Sequence, residues 1–142
     1  MKNMKNLKTM LFGSALLLMA FAFTASAQDT MMKKGSSKAK PTVALIRADW
    51  CSACKQVEPI IQDLMQQSYS GKFKLVVLDV TNEETTAQAQ ATAKSLGLSS
   101  FFEANKKSTS TVGVFKNKRE VFKTTHNPDR NIYVNAFDKA LK

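Results

Sequence analysis

Two cysteines three positions apart constrain this chain more than any other feature. They lie in Trp50-Cys51-Ser52-Ala53-Cys54-Lys55 and are the only cysteines among 142 residues. Just upstream, Thr42-Val43-Ala44-Leu45-Ile46 is an almost unbroken apolar run of the length of a buried strand. Downstream, residues 53–69 carry Val57, Ile60, Ile61, Leu64 and Met65 at helical spacing. The pair is therefore expected where a strand ends and a helix begins. Unpaired N–H groups and partial positive charge at a helix N-terminus favour a thiolate over a thiol. Two intervening residues let the second sulfur reach the first and close a small disulfide ring.

Residues 1–27 read as a secretory signal peptide. Lys2, Lys5 and Lys8 precede an uncharged apolar run over residues 10–23, and Ala25-Ser26-Ala27 offers a small-x-small cleavage pattern. An uncleaved membrane anchor is the competing reading, but the run is shorter than the ~20 residues that span a bilayer. The residue after Ala27 is Gln28, not a cysteine, so no lipid anchor is expected there. In an exported chain a lone cysteine pair is either a structural staple or a redox couple. A staple stabilises by closing a long loop, and neighbours on one helical turn close almost none. The redox couple is the expectation, in a periplasmic or secreted protein.

The formal charge is +10, but three lysines and no acid lie in residues 1–27, leaving about +7 on the remainder. The lysines are scattered rather than interleaved with aromatics, so nucleic acid is not an expected partner. Residues 28–40, rich in Lys, Ser and Gly without periodicity, read as a flexible tether. Residues 41–142 then form one domain. Its expected order is β(42–47), α(53–69), β(73–80), α(83–96), a short α(100–106), β(111–116), β(120–125) and α(129–141). Thr81-Asn82-Glu83-Glu84 predicts a capping box and Gly97 the end of the same helix. Lys116-Asn117-Lys118-Arg119 predicts a hairpin turn. Pro128-Asp129 opens a last helix whose apolar face is Ile132, Tyr133, Ala136, Phe137, Ala140 and Leu141.

These residues resemble the thioredoxin superfamily. Its active-site segment is matched by Trp50, Cys51, Cys54 and Lys55, with Pro59 five positions after the second cysteine. Gly71-Lys72 and the strand Phe73-Lys74-Leu75-Val76-Val77-Leu78-Asp79-Val80 are similar to its second core strand. Val112-Gly113-Val114-Phe115-Lys116-Asn117 resembles its later strand and turn. The resemblance covers residues 41–142, with an interruption near 99–110. It implies an α/β thioredoxin-like fold, a central mixed sheet of about four strands flanked by helices. It also implies a thiol–disulfide oxidoreductase without cofactor or metal, acting as a monomer. Its expected partners are protein thiols and disulfides of the cell envelope and a membrane electron donor. Cys51 is then the nucleophile and the more exposed sulfur, and Cys54 the resolving thiol. Trp50 is expected to pack beside the motif and shield the sulfurs. Lys55 either adds positive charge there or is a solvated helix residue. Pro59 lacks an N–H and kinks the helix.

Departures from the family pattern are as informative. The buried acid that serves the resolving thiol is replaced by Leu45, and its lysine partner falls near Val77, so a dry cavity is expected beneath Cys54. The family's cis-proline before the later strand is replaced by Ser110. A non-proline cis bond costs ~2.5–4 kcal/mol, so Thr109–Ser110 is expected to be trans. Phe101 and Phe102 lie in an inserted helical turn, either as core or as a lid over the cysteines. His126, the only histidine, is a loop residue or a proton donor and acceptor for the cysteines. Without a histidine between the cysteines, the resemblance implies a reductant rather than a strong oxidant. Two other functions compete: a copper or zinc module using Cys51, Cys54 and His126, and a redox-inert interaction domain.

Overall fold

A strand that is apolar on both faces needs cover on both, and Thr42–Arg47 (β1) finds it. The computed structural model describes residues 39–142. The leader and all but the last two residues of the tether lie outside them. β1 occupies an inner position of a four-stranded mixed sheet of order β2-β1-β3-β4. Lys74–Asp79 (β2) pairs with it in parallel, Thr42 opposite Lys74 and Arg47 opposite Asp79. Thr111–Lys116 (β3) pairs antiparallel on its other side, and Arg119–Thr125 (β4) completes the sheet, with a register shift at Val114/Phe115.

Alternation along β1 sends Val43 and Leu45 to one face and Ala44 and Ile46 to the other. On the first face they join Val57 and Ile61 of Cys54–Asp63 (α1) and Tyr133 and Phe137 of Arg130–Leu141 (α4). On the second they join Ala89 and Ala93 of Glu83–Leu96 (α2) and Phe101 and Phe102 of Ser99–Asn105 (α3). Phe101 and Phe102 are therefore core, which overturns the lid reading. Gly113 leaves room for the rings of Phe101 and Phe115. A Cβ on Gly113 would sit 2.7 Å from Cε2 of Phe101 and 2.8 Å from Cε2 of Phe115. Gly113→Ala is expected to destabilise the fold by about 1–3 kcal/mol through overpacking, measured by urea denaturation. A neutral result would mean that the two rings yield freely.

Local signals explain most element ends. Asn82 caps α2, accepting from Thr85 N at 2.9 Å while Thr85 Oγ1 accepts from Asn82 N at 3.1 Å. The reciprocal partner is thus Thr85, not a glutamate. Gly97, at φ 73°, closes α2 in the left-handed region that suits glycine. The hairpin turn places Asn117 and Lys118 at φ 53° and 65° between β3 and β4. One expected helix is divided: α1 ends at Asp63 and Leu64–Ser68 winds as a π turn, with Tyr69 N–H on Leu64 O at 2.8 Å. The wider turn rotates Tyr69 inward. There it packs edge-on against Phe73 and Phe137, and its hydroxyl reaches Asp138 Oδ1 at 2.7 Å.

Candidate functional site

Four segments converge at the end of the sheet where β1 and β2 finish and β3 begins. β1 runs into Ala48, whose carbonyl accepts Cys51 N–H at 3.1 Å and so folds the chain back toward the sheet. The turn is pinned to the end of β2 by Thr81. Its Oγ1 accepts Asp49 N–H at 3.0 Å, and its carbonyl accepts the Trp50 indole N–H at 3.1 Å. From the other side Ser110 N–H donates to Ile46 O at 2.7 Å, and His126 N–H donates to Ser110 O at 3.1 Å. The loop after β4 is thereby tied, through one backbone residue, to the end of β1.

Cys51 and Cys54 lie inside this frame as free thiols, 6% and 2% exposed, with Ala48, Ala53 and Val80 around them. Cys51 is therefore buried too, only slightly less than its partner. The helix begins at Cys54 with Ala53 as its N-cap, so Cys51 stands just ahead of it and its sulfur accepts Cys54 N–H at 3.1 Å. The two thiols are driven in opposite directions. Burial on its own would raise Cys51, but hydrogen bonds from Cys54, from the Thr109 hydroxyl and from the Cys54 and Ala53 amides outweigh it and hold its pKa below the ordinary thiol value. Cys54 is pushed up, first by burial and then by serving as the hydrogen-bond partner of Cys51. Of the two sulfurs Cys51 is the more readily ionised.

Other residues singled out from the sequence take different places. Trp50 is 65% exposed, its indole N–H held by the Thr81 carbonyl. The shielding comes from Ala48 and Val80. Lys55 is exposed, and the groups that hold Cys51 down are hydrogen-bond donors, so no charge from Lys55 is needed. Pro59 lies exposed inside α1, where it leaves the Lys55 carbonyl without its helical donor. Leu45 is buried among Val57 and Ile61, but Val77 is an exposed residue of β2, because that strand is the sheet edge. The apolar neighbours of Cys54 in the core are Ala48, Ala53 and Val80. Thr109 is buried and turned to Cys51. Ser110 is 0% exposed at φ 61°, and its Oγ has no protein partner. His126 is exposed at φ 55°, and it reaches the site through its backbone N–H. Among the described residues no three His, Cys, Asp or Glu side chains gather as a metal-binding group. Cys51, Cys54 and His126 therefore do not make the ligand set that the metal reading required.

One participant was not visible from spacing. Arg47, at the end of β1, meets three carboxylates: Glu58 at 3.1 Å, Asp79 at 2.5 Å and Asp49 at 2.5 Å. It staples α1, β2 and the motif loop together. Burial would raise Asp79, but hydrogen bonds from Thr81 and the Arg47 guanidinium hold it below the usual carboxylate range. The sequence offered Arg47, Asp49, Glu58 and Asp79 only as four separate charges; their convergence needed the parallel register of Arg47 opposite Asp79.

Comparison with known proteins agrees with this architecture. The chain is 40% identical over 47 residues to thioredoxin C-2 of Corynebacterium nephridii, covering 33% of this chain and 43% of that protein. It is 33% identical over 64 residues to the H-type thioredoxin of Chlamydomonas reinhardtii, covering 45% and 56%. The chain thus spans about half the length of these curated relatives. The structure of Fasciola hepatica thioredoxin superposes with a TM-score of 0.51 at 16% identity, covering 72% of this chain and 83% of that one. That likeness carries the fold. The thioredoxin family model matches residues 22–126, most of the chain, including the cysteine pair, both inner strands and the loop that holds Thr109 and Ser110. With a four-stranded mixed sheet flanked by four helices and a CxxC at the mouth of the first, the chain belongs to the thioredoxin family.

Proposed function

We propose that the protein is an exported thiol–disulfide oxidoreductase that reduces disulfides in proteins of the cell envelope. The observation that carries this reading is the asymmetry of the pair: Cys51 accepts the Cys54 N–H at 3.1 Å and is held down, while Cys54 is pushed up. The Cys51 thiolate attacks one sulfur of a substrate disulfide, and the other substrate sulfur leaves as a thiolate. Cys54 then loses its proton and attacks Cys51 in the mixed disulfide. The second substrate sulfur leaves, and the Cys51–Cys54 disulfide forms. Two electrons have passed to the substrate, so a dithiol or membrane carrier must return two to the protein. Export rests on the signal-peptide pattern of residues 1–27, with cleavage after Ala27.

Insulin reduction monitored across pH tests the reading. In the mixed disulfide Cys51 is no longer a thiolate, so only burial still opposes ionisation of Cys54, and no carboxylate is supplied by Leu45. The reactive form is the thiolate. Resolution should therefore accelerate about tenfold per pH unit from pH 6 upward, until the pH reaches the Cys54 pKa. Attack by Cys51 should level off at lower pH than resolution does. No reduction at any pH would return the chain to a redox-inert role. A resolution rate flat in pH would reveal a base that accepts the Cys54 proton.

A further inference from the structure

Charge is unevenly distributed along the sheet axis. The end that holds the cysteines carries Asp49, Glu58 and Asp79 around one arginine, with Glu83 and Glu84 opening α2. The opposite end, where β1 and β2 start and β3 turns into β4, carries Lys40, Lys72, Lys74, Lys116 and Lys118. Among the described residues none of these five forms an ion pair, and no acid joins them in lining the two depressions there. One depression is about 560 Å³, over Phe73, Leu98 and Phe115; the other is about 190 Å³, beside Ala140 and Leu141. Leu141 is among the exposed large apolar side chains.

We propose that this lysine-rich pole seats the protein on an anionic lipid surface, with the cysteines facing away from it. A small anion would need buried polar groups that converge on it. Here the lysines ring a shallow apolar floor, an arrangement that matches headgroup charge outside and acyl contact inside. The position of the upstream chain points the same way. Ala39 and Lys40 line both depressions, so the preceding residues join the domain at this pole. Those residues add Lys33, Lys34 and Lys38, which stay with the domain after cleavage at Ala27. Their own charge is like that of the pole, so they are not its electrostatic complement. Six-residue strands set the CxxC end roughly 20 Å from the lysine end. The proposal does not depend on the thiol chemistry.

Lysine footprinting by acetylation and mass spectrometry, on the full chain with vesicles, is the test. Vesicles with about one-third phosphatidylglycerol should protect Lys40, Lys72, Lys74, Lys116 and Lys118 and leave Lys107 and Lys123 reactive. Pure phosphatidylcholine should protect none, and about 0.5 M salt should restore reactivity. Site-resolved protection decides the question even if residues 10–23 carry the chain onto both vesicle types. Binding to the anionic vesicles should fall about thirtyfold in the Lys72→Gln/Lys74→Gln double variant, from ~1 kcal/mol per lysine. The charge-matched Lys107→Gln/Lys123→Gln variant should change it less than about threefold. Equal protection on both vesicle types, or equal loss in both double variants, would overturn the proposal. So would equal protection by polyglutamate, which would make the pole a general polyanion seat. Protection that rises with protein concentration in the absence of vesicles would assign it to a second copy of the chain.

Discussion

Cys51→Ser will abolish insulin reduction, with a loss of at least about a thousandfold, because a serine hydroxyl keeps its proton where the thiolate would attack. The geometry makes the two cysteines unequal, so the second substitution must behave differently. Cys54→Ser keeps a nucleophile at position 51 but has nothing to resolve the mixed disulfide. It should consume one equivalent of substrate and stop, with the substrate covalently attached. Thiol alkylation of the reduced wild type at pH 6 should modify Cys51 first, since its sulfur is the one held by hydrogen bonds from Cys54, Thr109 and Ala53. Faster alkylation of Cys54, or trapping by Cys51→Ser, would reverse the roles. Both sulfurs are almost fully enclosed, so each variant should also be checked by thermal unfolding.

Replacing Ser110 by the proline that the family carries there should destabilise this protein by about 3 kcal/mol or more. Proline fixes φ near −65° and has no N–H. Ser110 sits at φ 61°, is 0% exposed, and donates its N–H to Ile46 O at 2.7 Å. The substitution thus demands a backbone flip and strips a buried carbonyl of its donor, a loss of ~1–3 kcal/mol by itself. Ser110→Gly is the control of opposite sign. Glycine takes positive φ without strain and removes a buried hydroxyl that has no protein partner. It should leave stability unchanged or raise it by up to about 1 kcal/mol. Urea denaturation of both variants reads the result. A Ser110→Pro variant as stable as wild type would show that the loop can adopt the proline geometry at no penalty.

The restored-proline result bears on how far family resemblance reaches. Matching the motif pointed to Ser110, which stands just before β3 with its N–H on Ile46 O. It could not tell that the backbone there turns left-handed and spends its donor on β1. The same holds for Trp50. Its position beside Cys51 is given by the motif, whereas its exposure follows from Thr81 capturing the indole N–H.

What could be read from the order of residues was everything set by short-range pattern. The apolar run at 42–46, the helical spacing after Cys54, Asn82 and Gly97 as helix ends, and the Asn117-Lys118 turn each act over a few neighbours. Their elements stand within a residue or two of expectation, apart from the π turn at Leu64–Ser68. The CxxC at a strand–helix junction was legible for the same reason. Only the tertiary structure decided which groups face the sulfurs. Thr109 reaches Cys51 because β3 pairs antiparallel with β1, and Val77 is exposed because β2 ends the sheet. Arg47 gathers Asp49, Glu58 and Asp79 from three segments. These contacts join residues far apart in sequence, so they depend on strand register and loop approach. No local periodicity encodes those.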